Sequence, residues 1–303
     1  MIETSIVIPT YNRPQLLARA VASCLAQEGV DTGYEIIVVD NNPDGSARAD
    51  VKAMACRSAV PIRYVGEPSP GISNARNAGV AAARSRYIAF LDDDEEAAPG
   101  WLAAHLDTIR RFGADVVVGP VDACLPPDTP ASDPYPRNKF ARELRLPTGA
   151  PMPRISGIGN TILDRERCFI DFEPFDPQLG LTGGEDTVFM RQLLCRGRKL
   201  VWCAEAAVRE EVPAERLTPG FLLRRAFQRG QATTYACAAA TPPLRLTMLR
   251  MMAAGVAQLF LFGLAAAVLR LVNHRRWLPL MDRAALGLGK LLWHPKLQRA
   301  FYR

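Results

Sequence analysis

An α/β fold with a mostly parallel central sheet is predicted by three observations. Strand and helix patterns alternate through roughly the first 120 residues. The strand segments are continuous apolar runs rather than alternating ones, as in a sheet covered on both faces. Polar residues collect just after these runs, where parallel sheets bind ligands. In order, SIVIPTY (5–11) is a first strand, and PQLLARAVASCLAQ, opening on Pro14, has helical spacing. YEIIVVD (34–40) is a β-branched strand ending on Asp40, and ADVKAMACRSA (49–59) is helical. PIRYVGE (61–67) is a third strand, and SNARNAGVAAAR (73–84) a helix with Ser73 as its N-cap. RYIAFLD (86–92), WLAAHLDTIRRF (101–112) and ADVVVGPV (114–121) continue as strand, helix and strand. Residues 125–155 are proline-rich and are expected to cross the surface near the site. GIGNTILDRERC and GGEDTVFMRQLLCRGRKLVWC then restore strand and helix patterns.

With 49% hydrophobic and 22% charged residues, the 303-residue chain can bury a core. Seven cysteines, none in a C-x-x-C pair, favour reduced cytosolic thiols over a disulfide scaffold or zinc site. The N-terminus reads as a strand, so no signal peptide is expected. From Pro242 onward ten Lys or Arg face the single acid Asp282, a balance of +9 that leaves −3 for residues 1–241. Such a tail suits an anionic membrane surface rather than nucleic acid; a solvated basic helix is the alternative. Residues 251–269 carry no charge, near the length a spanning helix needs, and 277–301 mix Trp, Leu and basic residues. A span, a helical pair on the membrane surface and a soluble hairpin all remain open. The expected division is residues 1–241 as a catalytic domain, with halves 1–120 and 121–241, and 242–303 as a helical tail.

Five motifs carry chemistry, of which RLTPGFLLRRAFQRG offers Arg216, Arg224, Arg225 and Arg229 for phosphate recognition or as a solvated helix face. LDDDEE sets three aspartates at a strand end, as a socket for a hard divalent ion or as a solvated acidic turn. Asp40 in VVDNN is placed to accept from a ribose or base, or to form a turn. GISNARNAG puts Asn74 and Arg76 on the first turn of a helix, which suits a phosphate or a solvated face. TGGED sets Glu185 and Asp186 behind two glycines, as a general base or as acids at a helix start. G-x-G-x-x-G after the first strand and G-x-x-x-x-G-K-[ST] are both absent, which disfavours a dinucleotide fold and a P-loop.

In their order and spacing, SIVIPTYNRP, EIIVVDNN, GISNARNAG, YIAFLDDDEEAAPGWL, GNTILDRE and GGEDTVFMRQL resemble the family 2 glycosyltransferases of the GT-A fold. The resemblance covers about residues 3–230. It implies a nucleotide-binding α/β sandwich that transfers a sugar, with inversion, from a nucleotide-diphosphate donor to a hydroxyl acceptor. It implies a nucleotide site of Pro9, Thr10, Tyr11, Asn12, Arg13, Asp40, Asn74, Arg76, Asp92 and Asp93. It also implies a divalent metal, Mn²⁺ or Mg²⁺, on Asp92 and Asp94, and Asp186 as base beside Glu185. Where some relatives place a metal-binding histidine, this chain has VREEVP, so either Glu210 or Glu211 is the substitute or the third ligand is missing. The Q-x-x-R-W motif of processive relatives is missing, which favours transfer of a single sugar. The expected setting is the cytoplasmic face of the inner membrane, in cell-envelope polysaccharide synthesis on an acceptor that includes lipid-linked forms. A nucleotidyltransferase, which would need a glycine-rich loop after the first strand, and a non-catalytic nucleotide-sugar-binding protein are the alternatives.

Overall fold

The computed structural model describes residues 2–130, 133–153, 157–170, 173–272, 274 and 276–297. Residues 131, 132, 154 and 155 of the proline-rich connection and 298–301 of the second tail stretch lie outside it. The central sheet follows the expected alternation: β1 (Ile2–Thr10), α1 (Pro14–Leu25), β2 (Gly33–Asp40), α2 (Arg48–Arg57), β3 (Ile62–Gly66), α3 (Ile72–Ala82) and β4 (Tyr87–Phe90). Then come β5 (Glu95–Ala97), α4 (Trp101–Arg111), β6 (Val116–Val118), β7 (Val121–Cys124), α5 (Pro134–Phe140), β8 (Thr161–Asp164), α6 (Arg165–Cys168), α7 (Glu185–Cys195), β9 (Leu200–Trp202) and β10 (Val208–Glu211). Three helices close the described chain: α8 (Pro219–Ala239), α9 (Arg245–Leu271) and α10 (Trp277–Leu291).

Seven strands pair in the order β3-β2-β1-β4-β8-β6-β9, all parallel except β8, which runs antiparallel to both neighbours. The two faces take alternate residues of each strand. Ile6, Ile8, Ile36 and Val38 pack towards Leu17, Val51, Trp101 and Leu106 of α1, α2 and α4. Val7, Ile37 and Val39 pack towards Ala75 of α3 and Phe189 and Leu193 of α7. Burial on both sides is why these strands are apolar throughout. From β1 the chain builds outwards through β2 and β3, then returns through α3 to β4 on the other side of β1. That reversal opens a crevice beyond Thr10 and Phe90, the place where open α/β sheets bind ligands.

Two local expectations are corrected. Ser73 is not the N-cap of α3. Gly71, at φ 119, holds that position, and Ser73 lies one residue inside the helix with a buried, unbonded hydroxyl. The backbones of Gly71 and Gly180 touch, so the cap must lack a side chain. The 114–121 strand breaks at Gly119–Pro120 into β6 and β7 because β7 joins a second sheet, β5-β10-β7. A Cβ at Gly119 would strike the Ala206 carbonyl, so the break carries a glycine.

His105 of α4 is buried, with Nε2 donating 2.9 Å to Asn160 Oδ1. Burial pushes its pKa down to about 4. Between pH 6.5 and 4 the unfolded chain therefore binds a proton that the folded chain refuses, and stability falls as pH drops through that window. Relative to His105→Gln, the wild-type protein should lose about 3 kcal/mol between pH 7 and 4, as measured by urea unfolding.

Candidate active site

At the crevice the acidic run leaves β4, turns, and is at once captured as β5. Its backbone is fixed on both sides: Leu91 N–H donates to Val7 O (3.2 Å) and Glu211 N–H to Asp94 O (3.0 Å). The side chains of Asp93, Asp94 and Glu95 are enclosed, while Asp92 and Glu96 keep contact with solvent. Thr10 Oγ1 donates to Asp93 (2.8 Å), and Arg13 Nη1 reaches Asp93 (2.9 Å) and Asp94 (3.2 Å). Arg216 lies 3.2 Å from Asp94 and 3.5 Å from Glu210, and Arg76 lies 3.3 Å from Asp92. Even so, acids outnumber bases. Burial, against Arg13, raises Asp93 to about 6. Burial, against Arg216, raises Asp94. Burial and the Asp92 charge hold Glu95 well above the carboxylate range, and burial and Asp94 bring Glu210 to about 7.

This excess of buried negative charge suits a divalent cation, which would neutralise it without protons. Among the described residues no three Asp, Glu, His or Cys side chains converge to hold a metal unaided. A hard ion such as Mg²⁺ needs only one or two carboxylates when phosphate oxygens complete its shell, and Asp92 and Asp94 fit that pattern. Of the two proposed substitutes for a histidine ligand, Glu211 is turned outward to Arg19, while Glu210 points inward beside Asp94. Alternation along β10 explains the difference.

The residues expected to bind the nucleotide lie on β1, β2, α3 and the loops beside the same crevice. Pro9 and Thr10 end β1; Tyr11 is exposed, and Asn12, at φ 54, accepts from Asn42. Asp40 is fully buried, and its oxygens take Asn42 N–H (3.0 Å), Ala47 N–H (2.7 Å) and Tyr64 OH (3.3 Å). It therefore folds the 40–47 turn, and a nucleobase would share it rather than find it free. Asn74 donates to Pro70 O (3.0 Å) and shapes the 67–71 loop.

On the opposite side, Gly183 and Gly184 take φ 81 and 98, and Gly184 caps α7. Its close approach to Ala232 of α8 leaves no room for a side chain. Glu185 is buried against Arg76; burial and the Asp186 charge, opposed by Arg76, raise its pKa to about 7. Arg76 thus bridges Glu185 and Asp92, and phosphate would have to draw it from that pair. Asp186 is oriented through Oδ1, which accepts from Thr187 N–H (2.6 Å) and hydroxyl (3.1 Å). Its Oδ2 faces Gly157, where a Cβ would lie 3.1 Å away. A Cβ at Gly159 would lie 2.7 Å from Asp92 Oδ2. The Gly157–Gly159 step, at most about 7 Å long, is therefore a floor with the acidic turn at one end and Asp186 at the other.

Two residues that hold this floor were not visible as site residues in the sequence. Arg142 reaches inward from the proline-rich connection, donating to Gly119 O (2.8 Å), Gly157 O (3.3 Å) and Gly159 O (2.7 Å). It faces the charges of Glu95, Asp92, Glu210 and Asp186, while burial lowers its pKa. Asn160, in the left-handed region at φ 52, accepts from Trp101 Nε1 (2.7 Å) and His105, and donates to Pro120 O (2.7 Å) and Ala206 O (2.9 Å). Its place in GNTILDRE was the only available signal; Arg142 had none.

Comparison with known proteins identifies the family. Residues 5–162 match the family model described as glycosyl transferase family 2. The succinoglycan biosynthesis protein ExoM of Rhizobium meliloti (strain 1021) is 35% identical over 224 residues, 73% of this chain and 71% of that protein. The succinoglycan biosynthesis protein ExoO of the same organism is 36% identical over 121 residues, 40% of this chain and 33% of that protein. The crystal structure of S. aureus TarS 1-349 in complex with UDP superposes with a TM-score of 0.52 at 14% identity, covering 95% of this chain and 90% of that one. With strands β2, β3, β4 and β6 and the acidic turn inside the matched region, and ExoM aligned over more than two thirds of both chains, the chain belongs to glycosyl transferase family 2 and has that family's GT-A-type fold.

Proposed function

We propose that the chain is an inverting glycosyltransferase that moves one sugar from a nucleoside diphosphate sugar, with uridine as the base, to a hydroxyl of a cell-surface glycan precursor. The observation that carries this reading is the pair of carboxylates at the two ends of the Gly157–Gly159 floor. An inverting transfer needs a base on the acceptor side of the anomeric carbon and charge neutralisation on the leaving side. Asp186 Oδ2 would take the acceptor's proton as its oxygen attacks. The base and ribose would lie over Thr10, Tyr11 and Asp40, with Arg13 and Arg76 near the diphosphate. A divalent ion, Mn²⁺ or Mg²⁺, on Asp92 and Asp94 would supply Lewis-acid neutralisation of the leaving diphosphate. Relatedness to ExoM and ExoO supports a polysaccharide pathway, and the UDP complex of TarS supports uridine. Residues 1–241 are the catalytic unit in this reading. The basic tail from 242 is the membrane-facing part, at the cytoplasmic face of the inner membrane, where a lipid-linked acceptor would be met.

Thermal unfolding against a panel of nucleoside diphosphates, with and without Mn²⁺, tests the donor site. UDP with metal should raise the midpoint by mass action, and Asp94→Ala should abolish the metal-dependent part. If no nucleotide shifts the folded protein, the donor site is refuted in favour of a non-catalytic protein of this fold.

A further inference from the structure

Helix α9 is long and apolar enough to cross a bilayer, yet it packs as the outermost layer of the protein. Of its 27 residues only Gly255 and Ala266 are buried. Its inner stripe lies along α10. A Cβ at Gly255 would come 2.8 Å from Gly287 O, and one at Gly287 would come 2.6 Å from Gly255 O. Gln258 accepts from Lys290 (2.9 Å), and Arg270 stacks over Trp277 (4.3 Å). The other side of α10 is fixed to the body. Gly230 of α8 touches the Leu286 backbone, Leu278 packs with Phe140 and Leu222, and Asp282 pairs with Lys139 at 2.7 Å.

The outward stripe of α9 is apolar from end to end. Leu246, Leu249, Val256, Phe260, Leu264 and Leu271 share one face at helical spacing, and Phe260, Leu264 and Leu271 are 70%, 71% and 87% exposed. At 1.5 Å per residue the helix is about 40 Å long, with exposed Arg245 and Arg250 at one end and Arg276 beyond the other.

We propose that α9 lies in the plane of an anionic bilayer surface, its outward stripe sunk into the interface, with both ends on the side of the enzyme body. This rests on the membrane reading above. Were α9 to cross the bilayer, α10 and the parts of α5 and α8 fixed to it would enter hydrocarbon with it. Charges there, including the Lys139–Asp282 pair, are strongly disfavoured. In plane, α9 exposes apolar side chains to acyl chains and arginines to lipid phosphates. The tail balance of +9 complements an anionic surface; a twofold contact with a second copy would bring the same cationic patch against itself.

The purified full chain should float with sealed vesicles of phosphatidylglycerol and phosphatidylcholine, not with phosphatidylcholine alone, and alkaline carbonate should release it. With Cys56, Cys124 and Cys195 replaced by serine, an impermeant maleimide added outside should label both Arg245→Cys and Arg276→Cys. The exposed double variant Phe260→Glu/Leu264→Glu should bind at least tenfold less while its thermal midpoint is unchanged. Resistance to carbonate with Arg276→Cys protected would mean a span, overturning the in-plane placement but not the membrane reading. Failure to float would overturn both. A dimer that the double variant dissociates would identify a second copy as the occupant.

Discussion

Asp186→Asn should lower kcat by about 10²–10⁴-fold, the range for loss of a general base, with UDP affinity unchanged. Asparagine keeps the size of the side chain and the Oδ1 that accepts from Thr187 at 2.6 Å, so α7 and its glycine cap are undisturbed. What is lost is proton affinity at Oδ2, the oxygen that faces Gly157. Initial rates of UDP release with acceptor, set beside calorimetric titration of UDP, separate the two effects. Glu185 is the internal comparison. It is buried against Arg76, with one oxygen lacking a hydrogen-bond partner. Glu185→Gln would strip Arg76 of a counter-charge and should show first in stability. Were Asp186→Asn fully active and Glu185→Gln inactive with its fold intact, the base would be Glu185.

Asn160→Ala should cost about 3–5 kcal/mol, the largest stability loss expected of any single polar side chain in the site. The amide joins four groups from three parts of the chain: the Trp101 indole and His105 ring of α4 and the Pro120 and Ala206 carbonyls. Alanine would leave these buried groups unpaired and also has to adopt φ 52, which asparagine tolerates better. His105→Gln removes only one of the links and should cost far less. Urea unfolding of both variants is the measurement. A loss below about 1 kcal/mol for Asn160→Ala would mean that water replaces the amide.

What the sequence made legible was whatever depends on local pattern. Continuous apolar runs located β1, β2 and β4, and the acidic run located the crevice, because strands buried on both faces and ligand loops at their carboxyl ends leave direct signatures. The rest depends on contacts distant in sequence. Arg142 lies in a stretch whose prolines read as surface, and nothing local says that its guanidinium reaches the floor carbonyls. β5 is three residues of acidic and small character, and only pairing with β10 makes it a strand. Ser73 is a good capping residue by type; the cap moved to Gly71 because Gly180, over a hundred residues away, comes too close for a side chain there. Asp40 is where the pattern put it, but its oxygens are already shared with the 40–47 turn.

Helix α8 meets different partners on opposite faces. At Gly230 it touches α10, and two residues on, at Ala232, it touches Gly184, the cap that sets Asp186 in place. A displacement of α8 on membrane docking would be felt at the base, and equally a donor that tightens α7 would press on the tail. Thermodynamic linkage then fixes the bookkeeping. Whatever factor vesicles impose on the affinity for UDP, UDP must impose on the affinity for vesicles, so titrations run in either direction must return the same coupling constant.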